Sequence, residues 1–152
     1  MASISDVANW FLAKEPITPK KLQKLCYYYK AWGLALYDAD FIPESDFQAW
    51  VHGPVCQELY QKYGDLGWQQ IPKYTGTVYP FNKDEEEVLE SVWLTYRNMS
   101  ANALEAQTRL EAPWRNARIG LAEFQRSERV ISTDDMKAFY RELYEQYQGE
   151  TK

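Results

Sequence analysis

A single histidine, His52, serves the whole 152-residue chain. A zinc centre or a Ser-His-Asp triad would have to be built around that one imidazole, which removes most histidine-dependent enzyme classes. Cysteine is nearly as scarce. Cys26 and Cys56 sit in apolar stretches, form no CxxC pair, and read as small buried hydrophobes of a reduced compartment. No glycine-rich phosphate loop and no metal-ligand cluster is present, so the expectation is a protein without cofactor, metal or catalytic residues. No window approaches the ~18 apolar residues that span a bilayer, and Met1 to Asn9 lacks a basic-then-apolar leader. A soluble, cytoplasmic protein without a membrane partner is expected. Basic residues are the minority, 17 Lys plus Arg against 22 Asp plus Glu, for a net charge of −5 and a pI near 5.0. General nucleic-acid binders draw their affinity from neutralising phosphates and need the opposite balance.

What the chain has in quantity is aromatic residues, with 6 Trp, 12 Tyr and 6 Phe. A chain of this length buries roughly 68–70% of its unfolded surface, enough for one core without staples. A single domain over residues 1–152 is expected, mainly α, as a compact bundle of about six helices with minor short strands.

The apolar period marks the helices. Ile4, Val7, Ala8, Phe11 and Leu12 predict a helix over Ser5 to Lys14 behind a Ser5 cap. Thr18-Pro19 opens a longer one through Tyr37, carried by Leu22, Leu25, Cys26, Tyr29, Trp32 and Leu36. Phe47 to Val51 predicts a short strand or extended link. At His52-Gly53-Pro54, Gly53 is expected to cap and Pro54 to start a helix through Tyr63 that Gly64 ends. Residues 64–82 read as a structured loop with a short strand near Thr75 to Tyr79. A capping box at Asn82 or Asp84 starts the next helix, through Met99. Ser100 caps a short helix, Pro113-Trp114 opens a turn or helix through Ala117, and Ser132 with Asp135 starts the last, which Gly149 ends.

Candidate contact residues follow from chemistry and position. Tyr27, Tyr28 and Tyr29 sit ~100° apart on a helix, so at least one, Tyr28 in our reading, should meet solvent or a partner. Trp50, His52 and the following turn read either as an exposed patch or as a shaped turn with Trp50 in the core. Five of the seven arginines, Arg109, Arg115, Arg118, Arg126 and Arg129, lie in one segment against three glutamates, net +2. Around Trp114 they suit a charged rim on an aromatic anchor, or else hold helix surfaces and helix ends. Lys20, Lys21 and Lys24 read as a solvated face or as contacts to an acidic surface.

The series Thr18-Pro-Lys-Lys-Leu-Gln-Lys-Leu-Cys-Tyr-Tyr-Tyr29, Phe47-Gln-Ala-Trp50, His52-Gly-Pro-Val-Cys-Gln-Glu-Leu-Tyr60, then Leu104 and Thr108-Arg-Leu-Glu-Ala-Pro-Trp-Arg-Asn-Ala-Arg118 resembles the Panacea family of SocA-like antitoxin domains. It covers most of residues 18–118 in the family's order. The resemblance implies a bacterial or prophage antitoxin that neutralises a toxin encoded beside it by direct, stoichiometric protein contact. One branch of the family delivers its toxin to a cytosolic AAA+ protease as an adaptor, a second reading. A small RNA-binding regulator is a third. Some members carry DNA-binding segments, for which the helical domain here leaves no room. The family's toxins are unrelated to one another, so the resemblance names no particular partner. The contact residues we expect are Tyr28, Trp50, His52, Trp114, Arg115 and Arg118.

Overall fold

The computed structural model describes residues 1–150, with side chains through 149. Among these the chain forms seven α-helices and one two-stranded hairpin. They are α1 Ile4–Leu12, α2 Pro19–Tyr37, β1 Gln48–Trp50, β2 Gly53–Val55, α3 Gln57–Tyr63, α4 Lys83–Tyr96, α5 Ala101–Leu110, α6 Ala112–Ala117 and α7 Thr133–Glu150. The mainly α expectation holds. α7 continues through Gly149, which is not its stop.

Local chemistry sets most helix starts. Thr18 accepts from the Lys21 N–H, and Pro19 contributes its fixed φ at the first helical position of α2. Asn82 and Glu85 form a reciprocal capping box for α4, and Ser100 caps α5. At α1 the cap is Ser3 rather than Ser5. Ser3 and Asp6 satisfy each other's backbone N–H groups at 2.9 and 3.2 Å, an arrangement Ser5 has no matching acid to make.

The Gly53-Pro54 junction differs more. Both residues belong to β2, paired antiparallel with β1 in the register Gln48 with Val55, Ala49 with Pro54 and Trp50 with Gly53; α3 begins only at Gln57. Ala49 explains how a proline fits there. Its N–H donates to the Arg129 carbonyl and its carbonyl accepts from Arg118, each at 2.8 Å and both away from β2, so its partner needs no N–H. Gly53 has φ +102°, a left-handed conformation that a hairpin corner takes and a helix cap of this kind does not need. No strand forms at Thr75 to Tyr79 among the described residues. The loop instead anchors through an Ile17–Ile71 bridge and a Tyr74 N–H bond to the Leu12 carbonyl.

α2 is the axis of the molecule, touching α1, α3, α4, α5, α7 and β2. For that reason all three tyrosines are buried, contrary to the expectation that one meets solvent: a helix surrounded on every side has no wet face. Tyr28 stacks on Tyr96 with ring centroids 4.0 Å apart, Tyr27 meets Phe47 and Tyr140 edge-on, and Tyr29 packs against Phe41 and Phe81. Cys26 and Cys56 are buried thiols, as expected.

A buried carboxylate ties these rings together. One oxygen of Glu111 accepts from Tyr28 and from Tyr140, each at 2.8 Å, and the other from Gln107 at 3.1 Å. Burial raises its pKa, and the three donated hydrogen bonds oppose that rise. Glu111→Ala strands the buried Tyr28 hydroxyl, leaves the Tyr140 hydroxyl only Tyr27 as partner, and should cost about 3 kcal/mol of unfolding free energy in a denaturant titration. Glu90→Ala on the exposed side of α4 should stay within about 0.5 kcal/mol.

Candidate functional site

The hairpin, the start of α2, α3 and the start of α5 enclose an apolar groove of about 600 Å³. Leu22, Val55 and Leu59 line it, together with Trp50, Tyr60 and Trp68. Trp68 is 80% exposed and Tyr60 51% exposed, which is unusual for such large rings. Trp50 meets Tyr60 edge-on at 4.9 Å. A second depression of about 620 Å³ shares Trp50, His52 and Tyr60 and reaches Phe124 and Arg126. The two therefore form one surface with Trp50 at their common wall.

Trp50 is positioned from below. Its carbonyl accepts from the Trp114 indole N–H at 2.8 Å, and its own indole donates to Gln48. Trp114 lies between two guanidiniums, Arg109 and Arg118, at 5.4 and 5.1 Å from its ring centroid. Arg118 is itself buried, and its fork donates to the carbonyls of Ala49, Ala122, Glu123 and Gln125, lashing the 119–127 loop to β1. Arg129 donates to the Ile119 carbonyl near the end of α6.

Around the groove, basic side chains gather on one carboxylate. Glu105 of α5 receives Lys20 at 2.6 Å, His52 at 3.2 Å and Arg109 at 3.5 Å. Burial by itself would raise its pKa, but the hydrogen bonds from Lys20 and His52 outweigh that and hold it below the usual carboxylate range. Lys20 also lies 5.2 Å from the Trp68 ring.

Lys24, expected on a solvated or contact face, is instead 1% exposed in the groove floor. The reason is Gly53: a Cβ there would lie 2.9 Å from Lys24 Cε and from Thr108 Oγ1, so only the bare backbone lets the lysine stem run beneath the hairpin. Desolvation lowers the Lys24 pKa to about 7, with Glu105 only partly opposing it.

Of the six expected contact residues, the structure brings Trp50, His52, Trp114 and Arg118 into one neighbourhood. Only Trp50 and His52 line the groove itself. Trp114 and Arg118 are largely buried beneath it, where they support β1. Tyr28 is buried too, within the Glu111 knot. Arg115 is exposed on α6 and lines, together with Trp114 and Arg118, a separate depression of about 460 Å³. Residue-by-residue reading missed Tyr60 and Trp68 as groove residues, and offered Lys20 and Lys24 only as one of two alternatives, a solvated face or contacts to an acidic surface. Trp68 carried a signal, being a tryptophan set between Gly67 and a polar loop.

Fold and site together define a small, mainly helical domain with an aromatic groove rimmed by cations. Residues 22–115 match the family described as Antitoxin SocA-like, Panacea domain, which is more than half of the chain, and the chain belongs to that family. No curated protein and no solved structure matches it significantly. Among the described residues, no helix is long and apolar enough to cross a membrane.

Two outcomes test this geometry. Gly53→Ala combines a left-handed φ with contacts to Lys24 and Thr108, and should lower stability by about 2 kcal/mol or more in a denaturant titration. Lys24 has a folded pKa below its unfolded value, so between the two the unfolded chain binds more protons and stability rises with pH. Measured against Lys24→Met, the wild type should gain about 1 kcal/mol per pH unit above roughly pH 7, with a flat difference below it.

Proposed function

We propose that this protein is the antitoxin of a toxin-antitoxin pair and that it neutralises a protein toxin encoded nearby by stoichiometric contact in the cytoplasm. The observation that carries this reading is the cluster of three exposed or half-buried rings, Trp50, Tyr60 and Trp68, around a groove that a rigid hairpin holds open. Large aromatic anchors beside a concave wall are what protein interfaces use for most of their binding energy. Membership in an antitoxin-like family supports a toxin as the occupant.

The mechanism is occlusion. Trp114 and Arg118 fix the height and direction of β1 from beneath, so Trp50 presents the same face before and after contact, and little ordering entropy is lost on binding. His52, whose side chain is exposed, borders the rim and is oriented by Glu105.

Co-expression with the product of the adjacent reading frame is the test. Wild-type protein should restore growth and co-purify with that product in fixed ratio. Trp68→Ala combined with Tyr60→Ala should weaken the complex by about tenfold or more while leaving the melting temperature unchanged, because both rings are already exposed. The toxin's half-life should be unaltered in the complex; a shortened one would mean delivery to a protease.

A further inference from the structure

The groove floor holds a buried amine without a dedicated anion. α2 carries two buried lysines, Lys24 and Lys30, each 1% exposed. Lys30 is fully provided for: its ammonium meets both carboxylate oxygens of Asp40 at 2.9 Å and the Ile42 carbonyl at 3.0 Å. Lys24 makes one hydrogen bond, to the Pro54 carbonyl at 3.1 Å. An ammonium has three N–H donors, and burying a charge without a counter-ion is costly. The nearby carboxylate, Glu105, is occupied by Lys20, His52 and Arg109.

The groove lining itself offers Lys24 no anion. Among the described residues no aspartate or glutamate lines it, in a chain of net charge −5. The capped starts of two helices, at Thr18-Pro19 of α2 and at Ser100-Ala101 of α5, also line it, and a helix start is the positive end of its dipole. The walls between these charges are apolar and aromatic.

We propose that the segment seated in this groove is an acidic, apolar peptide stretch of the toxin, whose side-chain carboxylate reaches Lys24 and Lys20 while a flanking apolar side chain lies among Trp50, Tyr60 and Trp68. This rests on the groove being the toxin contact. The carboxylate supplies the counter-ion that Lys24 lacks, and charged hydrogen bonds in a desolvated floor discriminate strongly against a neutral isostere. A nucleic acid would bring anions too, but its repeated phosphates need a run of exposed cations, whereas this floor offers one buried amine within apolar walls.

The probes are two blocked peptides, acetyl-Leu-Glu-Leu-Glu-Leu-amide and its counterpart with glutamine in place of glutamate. Each is titrated into the isotope-labelled full chain, and the Trp50 and Trp68 indole N–H resonances are followed. The acidic peptide should shift both indoles and bind about tenfold more tightly than the glutamine peptide. Lys24→Met should reduce that preference to less than about twofold, and Lys20→Met, at a partly exposed position, should reduce it partially even if Lys24→Met fails to fold. Equal binding of the two peptides overturns the proposal, as does a short oligothymidylate that displaces the acidic peptide. Absence of peptide binding, with the adjacent frame's product still captured through Trp68 and Tyr60, overturns the acidic occupant and leaves direct contact standing. Loss of that capture as well removes the antitoxin reading on which it rests.

Discussion

Glu111 is the residue through which the interior and the groove are coupled. It sits where α5 gives way to α6, and a carboxylate at that depth is tolerated only because Tyr28 of α2, Tyr140 of α7 and Gln107 of α5 all donate to it. Those bonds hold the α5-α6 corner against the central helix. Three residues on, Trp114 leaves that corner and donates to the Trp50 carbonyl, so the direction of β1 is inherited from the position of Glu111. One polar knot thus sets the placement of the groove wall.

The charges divide into two kinds. Arg118 and Arg129 spend their donors on backbone carbonyls, and Lys30 on Asp40, so these cations act as internal braces and leave little field outside. Lys20, Lys24 and the positive ends of α2 and α5 are gathered on the opposite account, around a groove that no acid lines among the described residues. An acidic protein therefore carries a local positive site, and its net charge alone gives no warning of it. Gly53 makes this arrangement possible, since any side chain at that corner would collide with Lys24 and lift the hairpin.

The residue pattern was a good guide wherever the controlling interaction lies within one or two turns. The Asn82-Glu85 box, the Thr18-Pro19 start and the Ser100 cap each involve neighbours three residues apart, and each is where the spacing placed it. Gly53-Pro54 misled because a glycine before proline suits either a helix entry or a hairpin corner; pairing with β1, whose Ala49 N–H is taken on its far side by the Arg129 carbonyl, makes it a corner. Of the six residues named from chemistry, Trp50 and His52 line the groove, while Tyr28 lies in the core. That division was not legible in the residue pattern, because burial depends on what covers a residue.

By itself the sequence determined the helical class, most caps and the family, since apolar period, cap chemistry and ordered motifs are all local or linear properties. Only the tertiary structure decided that Tyr28 is a core ring, that Arg118 is a brace, and that Lys24 lies under a hairpin in an acid-free groove. Burial and electrostatic environment are sums over neighbours in space, and those neighbours, here Glu111, Ala49 and Gly53, come from segments far apart along the chain.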